Sequence, residues 1–302
     1  MNEKRASNKV INLKERIAVK NRGTEKTRAK APKSRTRVIS TTSGKGGVGK
    51  SNIVANLGFA LSKLGKKVLI LDADLGLGNL DVLLGLAPKY NFSHAIMGTK
   101  TVEEILVQGP GNVKILPASS GIQELTELTH EQKSRILTAL DSLIDSIDIF
   151  LIDTGAGISS NVMYFNSSAQ EIMVVVSPEP TSITDAYAIM KVLSIDYSQK
   201  HFKLIVNMAR NAGEAEEVFR QLKLVADRFL NITIDYLGYV LMDENIKRGV
   251  KLQKVVSELY PDTRASRCFA SLAKKICDSP PPPIPEGGTN FFWRRLVPDE
   301  AP

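Results

Sequence analysis

Short apolar runs recur along the chain, and each ends in a polar residue or a glycine. They lie at 37–41 (RVIST), 67–72 (KVLILD), 113–117 (VKILP), 148–153 (DIFLID), 171–177 (EIMVVVS), 202–207 (FKLIVN) and 236–240 (YLGYV). Rich in Val, Ile and Leu with little alternation, they predict strands covered on both faces. Between them, apolar residues return at intervals of three and four. Val54, Leu57, Leu61 and Leu64 mark such a helix over 51–64, and others are expected near 131–145, 182–196, 214–229 and 265–276. Strands alternating with helices predict an α/β fold, a mostly parallel, doubly wound sheet with helices on both faces. Such sheets bind ligands beyond the carboxyl ends of their strands. The polar residues after each strand are therefore where function is expected.

Composition divides the chain into a basic tail (1–37), the alternating domain (38–277) and a Pro/Gly-rich segment (278–302) that opens with SPPPPIPEGG. With 302 residues, 43% of them hydrophobic, the chain can bury a large core. The net charge of +8 comes from the tail. Residues 1–37 carry 13 Lys or Arg against three Glu, which leaves the remainder at −2. The domain itself is therefore not basic, which argues mildly against nucleic-acid binding by it, whereas the tail has the composition of an arm. That arm could touch anionic lipid, nucleic acid or an acidic partner, or be merely solvated. No run of 18 apolar residues is present, so no membrane-spanning helix is expected, and the polar N-terminus leads to an expectation of a cytoplasmic protein. The two cysteines, Cys268 and Cys277, read as ordinary thiols.

The sharpest signal is Gly44-Lys45-Gly46-Gly47-Val48-Gly49-Lys50-Ser51, which fits G-x4-G-K-[ST] between a predicted strand and a predicted helix. Convergent backbone N–H groups, and a helix N-terminus that continues through Asn52, would cradle phosphates. Lys50 would bridge the β- and γ-phosphates, and the Ser51 hydroxyl would ligate Mg²⁺. Lys45 places a second cation beside the transferring group. After the next strand, Asp72 and Asp74 lie two apart, so in an extended segment they share a face. Such a pair can orient an attacking water and support the metal. A carboxylate is a weak base, so positioning is the role expected. The apolar strand ending in Asp153 supplies a further carboxylate beside magnesium. Asn207 ends a later strand, and its amide can both donate and accept; Arg210 follows it.

The loop KGGVGKS, the stretch LDADLGLGNLD (71–81) and IFLIDTGAG (149–157) together resemble the deviant P-loop ATPases of the MinD/ParA type. DADLGLGNLDVLLGL (72–86) and DENIKRGVKLQKVVSELYPDTRASRCFASLA (243–273) are most similar to the FlhG/FleN (YlxH) branch, which sets flagellar number and placement. The resemblance implies an ATP-dependent homodimer with Mg²⁺, in which Lys45 reaches the partner's nucleotide. It implies that Asp74 holds the water, Asp72 lies near the metal and Asn79 faces the dimer. It also implies that Asn207 reads adenine with Arg210 nearby. Implied partners are flagellar assembly proteins, such as an FlhF-like GTPase or C-ring components, or a flagellar transcription regulator. Peripheral contact at the inner face of the membrane is implied as well. A membrane-docking helix would fall at 265–277, although Leu272, Ala273 and Ile276 could equally cover the core. Phe291, Phe292 and Trp293 beside Arg294 and Arg295 suit a membrane interface or a protein groove, or are an idle end. The alternative is a ParA-like ATPase that positions cargo and holds DNA through the basic tail. The chain departs from the family in having Gly155 where proline is usual, and in lacking the D-Q-A-x-x-L-R element of the flagellar branch.

Overall fold

The computed structural model describes residues 36–281 except 75–77, 79, 92, 93, 96, 118–142, 144 and 145. Asn79, nearly all of the helix expected at 131–145, residues 1–35 of the tail and the aromatic–basic end lie outside the described residues. The strands are β1 (Arg37–Ser43), β2 (Val68–Ala73), β3 (Val107–Gln108), β4 (Lys114–Pro117), β5 (Ile149–Ala156), β6 (Glu171–Val176), β7 (His201–Ala209) and β8 (Thr233–Leu241). The helices are α1 (Lys50–Lys63), α2 (Leu80–Leu83), α3 (Val102–Ile105), α4 (Ser160–Ser168), α5 (Pro180–Asp196), α6 (Ala212–Phe229), α7 (Glu244–Lys251), α8 (Val256–Leu259) and α9 (Arg264–Asp278).

One eight-stranded sheet runs in the order β3-β4-β2-β5-β1-β6-β7-β8. Every pairing is parallel except β3 with β4. The expected fold class is borne out. The uninterrupted apolar runs have their cause in the layers. Along β6, Met173 and Val175 face one core with Leu57, Leu61, Phe269 and Leu272 from α1 and α9. Ile172, Val174 and Val176 face the other, with Ile189 and Leu193 from α5 and Leu222 from α6. Helix α9 settles the choice between membrane and core, because Leu272, Ala273 and Ile276 are all buried against the sheet. Among the described residues no helix is long and apolar enough to cross a membrane.

At the amino ends of the strands, buried Arg37 joins the domain's two ends. Its Nε and Nη2 donate to the Glu171 carboxylate, and its Nη1 donates to the carbonyls of Ile276 and Ser279. Nη2 also donates to Ser279 Oγ at 2.9 Å. Burial alone would raise the Glu171 carboxyl, but Arg37 and Lys203 hold it below the usual range.

Candidate active site

The site grows from the carboxyl end of β1. The chain leaves the sheet at Ser43, turns through 44–49 and enters α1 at Lys50, with Gly49 as the N-cap at φ 83°. Two of the glycines are required by close approach. A Cβ on Gly44 would lie 2.1 Å from the Asp185 carbonyl oxygen of α5, and one on Gly49 would lie 2.4 Å from Asn207 Nδ2. Gly47 and Gly49 both have positive φ, so the loop takes a path other residues resist. The resulting cleft has a volume of about 570 Å³. Residues 46–52 form one wall, with Asp74 beside them and Gly155, Ser159 and Asn161 opposite.

Beneath the loop, Lys50 Nζ donates to Asp153 Oδ1 at 2.7 Å, and both side chains are buried. Asp153 and Asp72 are register partners on the parallel strands β5 and β2, so the fold places two carboxylates side by side. The Asp72 carboxylate accepts from the backbone N–H of Asp74 at 3.3 Å and of Leu80 at 3.2 Å. It thereby ties together the two ends of the segment that carries Asp74. Burial, reinforced by Asp153, pushes Asp72 from its ordinary 3.8 up to about 7.

That shift has a consequence for stability. The unfolded Asp72 ionises near 4 and the folded one near 7, so the folded chain holds an extra proton in between. This group's contribution to stability therefore falls as pH rises from about 4 to about 7, and stays low above that. Asp72→Asn removes the buried charge but keeps an acceptor for one of the two N–H groups. It is expected to stabilise the nucleotide-free protein by about 1–2 kcal/mol at pH 8, and to stabilise it less, or destabilise it, at pH 4.5. Urea melts at the two pH values measure this, and an equal change at both would contradict it.

Lys45 projects away from the cleft. Its ammonium donates to Glu179 Oε2 at 2.6 Å and to Thr181 Oγ1 at 3.0 Å, at the start of α5. Asn207 is buried and donates from Nδ2 to the Val48 carbonyl at 2.7 Å, bracing the loop from β7. Arg210 is not brought to the cleft. It is exposed and folds back on Glu214, with Nε 2.7 Å from Oε1. Sequence reasoning missed Met208, which has φ 60° and whose Cε would lie 3.4 Å from a Cβ on Gly49. It also missed Asn161 and Ser159. Ser159 caps α4 by accepting from Val162 N–H, and a serine ahead of a helix start was a readable signal.

The donor set suits a magnesium-bound triphosphate. Oxygen ligands are available from Ser51, Asp72, Asp74 and Asp153, and one buried ammonium serves two buried carboxylates, so added positive charge is favoured. No group of three or more His, Cys, Asp or Glu suited to a metal ion occurs among the described residues.

Comparison with known proteins supports this reading. The model of the ParA family, described as NUBPL iron-transfer P-loop NTPase, matches residues 34–277. The antiactivator FleN of Pseudomonas aeruginosa is 43% identical over 86% of this chain and 93% of its own length. The flagellum site-determining protein YlxH of Helicobacter pylori is 32% identical over 88% and 91%. The structure of the septum site-determining protein MinD from Pyrococcus horikoshii, complexed with Mg-ADP, superimposes with a TM-score of 0.63 at 26% identity, covering 80% of this chain and 96% of that one. Cys268 and Cys277 are nine residues apart on one helix, hence on opposite faces, and burial raises both thiols.

Proposed function

The chain belongs to the ParA/MinD family of P-loop NTPases, and on that premise we propose that it is an ATP-switched, dimerising ATPase that regulates flagellar number or placement. The observation that carries the nucleotide half is the cleft itself, where a phosphate loop, a buried Lys50–Asp153 pair and Asp74 meet. The flagellar half rests on the likeness to FleN and YlxH over nearly the whole domain.

The residues act as follows. The amides of 46–50 and the positive end of α1 receive the phosphates. Lys50 exchanges Asp153 for phosphate oxygens, which frees that carboxylate. Ser51, backed by Asp153 and Asp72, would hold Mg²⁺, which when bound neutralises charge on the triphosphate. Asp74 orients water at the mouth of the cleft, held there by the bond from its N–H to Asp72. Asn207 keeps the loop in place through Val48 and offers its remaining amide groups to adenine; Arg210 must leave Glu214 to join it. Lys45 is released from Glu179 to complete the partner's site. That exposed pair is worth no more than about 1 kcal/mol, so it is a weak restraint.

Lys45→Ala should retain nucleotide affinity within a few-fold but abolish the ATP-dependent dimer. Light scattering coupled to size exclusion, with ATP and with ADP, reads this directly. An ATP dimer of undiminished yield would remove the cross-subunit role. The partners we propose are flagellar assembly proteins, such as an FlhF-like GTPase or C-ring components, or a flagellar transcription regulator. The location we propose is cytoplasmic with peripheral membrane contact. The rival, DNA-bound cargo positioning, rests on the basic tail, and its signature would be salt-sensitive DNA retention.

A further inference from the structure

Among the described residues strand β8 closes the sheet, so one side of its backbone has no strand partner there. Its ladder with β7 is irregular. Tyr236 pairs with Leu204 and Gly238 with Ile205, leaving Leu237 as an extra residue. Gly238 has φ 148°, and a Cβ there would lie 3.0 Å from Leu272 and 3.6 Å from Lys275 Nζ. Helix α9 thus runs close along this edge, and between them lies a groove of about 280 Å³. Its apolar floor includes Leu237, Leu241 and Leu272, and its rim carries Arg264, Arg267 and Lys275.

The rim is unbalanced in charge. Lys275 Nζ donates to the Leu237 carbonyl at 2.8 Å, and Arg264 reaches the Arg210 carbonyl at 3.5 Å. Among the described residues none of the three cations has a carboxylate partner within ion-pair distance. No Asp or Glu lines the groove itself; its two elements also carry the exposed Asp235 on β8 and Asp278 on α9, and Asp243 and Glu216 lie beside it. Asp243 is committed to the N–H groups of Asn245 and Ala265, and Glu216 lies on the α6 side, near Tyr236. The Tyr236 hydroxyl, at the same edge, is buried with no hydrogen-bond partner among the described residues, and burial pushes its pKa up to about 12.

We propose that this groove is a docking site for an acidic, extended peptide segment of a partner protein, which adds to β8 as a further strand. Edge amides and carbonyls of β8 beyond those that α9 already engages, at Leu237 through Lys275 and at Leu241 through Cys268, supply the pairing, as in other strand-addition complexes. Alternate apolar side chains of the peptide enter the floor beside Leu237 and Leu272. The intervening acidic side chains meet Arg264 and Arg267, whose planar groups accept carboxylates in pairs. Charge complementarity selects an acidic segment over a neutral or basic one. The site lies apart from the cleft and does not depend on the nucleotide reading.

The test uses the full chain and two labelled decapeptides that alternate Val with Glu or Val with Lys. Fluorescence anisotropy at moderate salt is expected to show the Glu peptide binding at least about tenfold more tightly than the Lys peptide. Arg267→Glu and, separately, Arg264→Glu should each weaken the Glu peptide about tenfold; both side chains are exposed, so folding is not at risk. Hydrogen exchange should show protection of the outward β8 amides, those not bonded to β7, appearing only with the Glu peptide. Capture by the basic tail would leave both variants binding as the parent does, and that result overturns the proposal. Protection without peptide of the outward β8 amides, those not bonded to β7, would mean that this chain or a second copy fills the edge, which also overturns it.

Discussion

Lys50→Ala is expected to abolish measurable ATP binding and also to destabilise the nucleotide-free protein by about 3–5 kcal/mol. The second effect does not follow from the loop motif. It follows from the pair beneath it, Lys50 Nζ to Asp153 Oδ1 at 2.7 Å, with side chains only 8% and 1% exposed. Removing the ammonium leaves Asp153 buried beside Asp72, and two adjacent carboxylates then have no cation between them. Adding Asp153→Asn should recover most of the lost stability, because the uncompensated charge is gone, while ATP binding stays absent. Urea melts report the first quantity and calorimetry with Mg-ATP the second. A single variant as stable as the parent would show that the pair does not form in solution. A double variant that regains ATP would show that Lys50 is not a phosphate ligand.

The other large effect is expected at Asp74. Asp74→Ala should lower ATP turnover at least ~100-fold, with little loss of nucleotide affinity, and the ATP-bound dimer should accumulate. Asp74 lines the cleft, whereas Asp72 and Asp153 lie buried behind it, so it is the carboxylate able to meet a water in the cleft. A Cβ on Gly155 would stand 3.4 Å from Asp74 Oδ1 and 3.3 Å from Val162, so the glycine leaves this carboxylate room. Single-turnover hydrolysis and light scattering on one preparation separate the outcomes. Unchanged turnover would move the water-positioning role to another group.

Much of this was legible in the chain because its causes are local. Strands covered on both faces must be apolar at consecutive positions, so β1, β2, β5, β6 and β7 declared themselves. The phosphate loop is contiguous and its glycines are adjacent. What escaped was short, polar or distant. Strand β3 has two residues, α4 (SNVMYFNSS) bunches its apolar residues at 162–165 instead of spacing them by three and four, and α7 (ENIKRGVK) carries only two apolar positions. The contact of Asn207 with Val48 spans 159 residues, so nothing near either position announces that the amide braces the loop. The folding back of Arg210 on Glu214 was readable, since oppositely charged residues four apart meet at a helix start. The raised Asp72 could not be foreseen, because it comes first from burial and then from Asp153 beside it on β5, and only the assembled sheet provides both.

Arg37 begins β1, yet its guanidinium grips Ser279 just past the end of α9. The chain therefore enters and leaves its domain at one doorway, about 20 Å, the length of a strand, from the nucleotide cleft. Whatever is appended at these two points is leashed to a common post. If each appended segment grips the same surface even feebly, the pair holds with the avidity of a two-point tether.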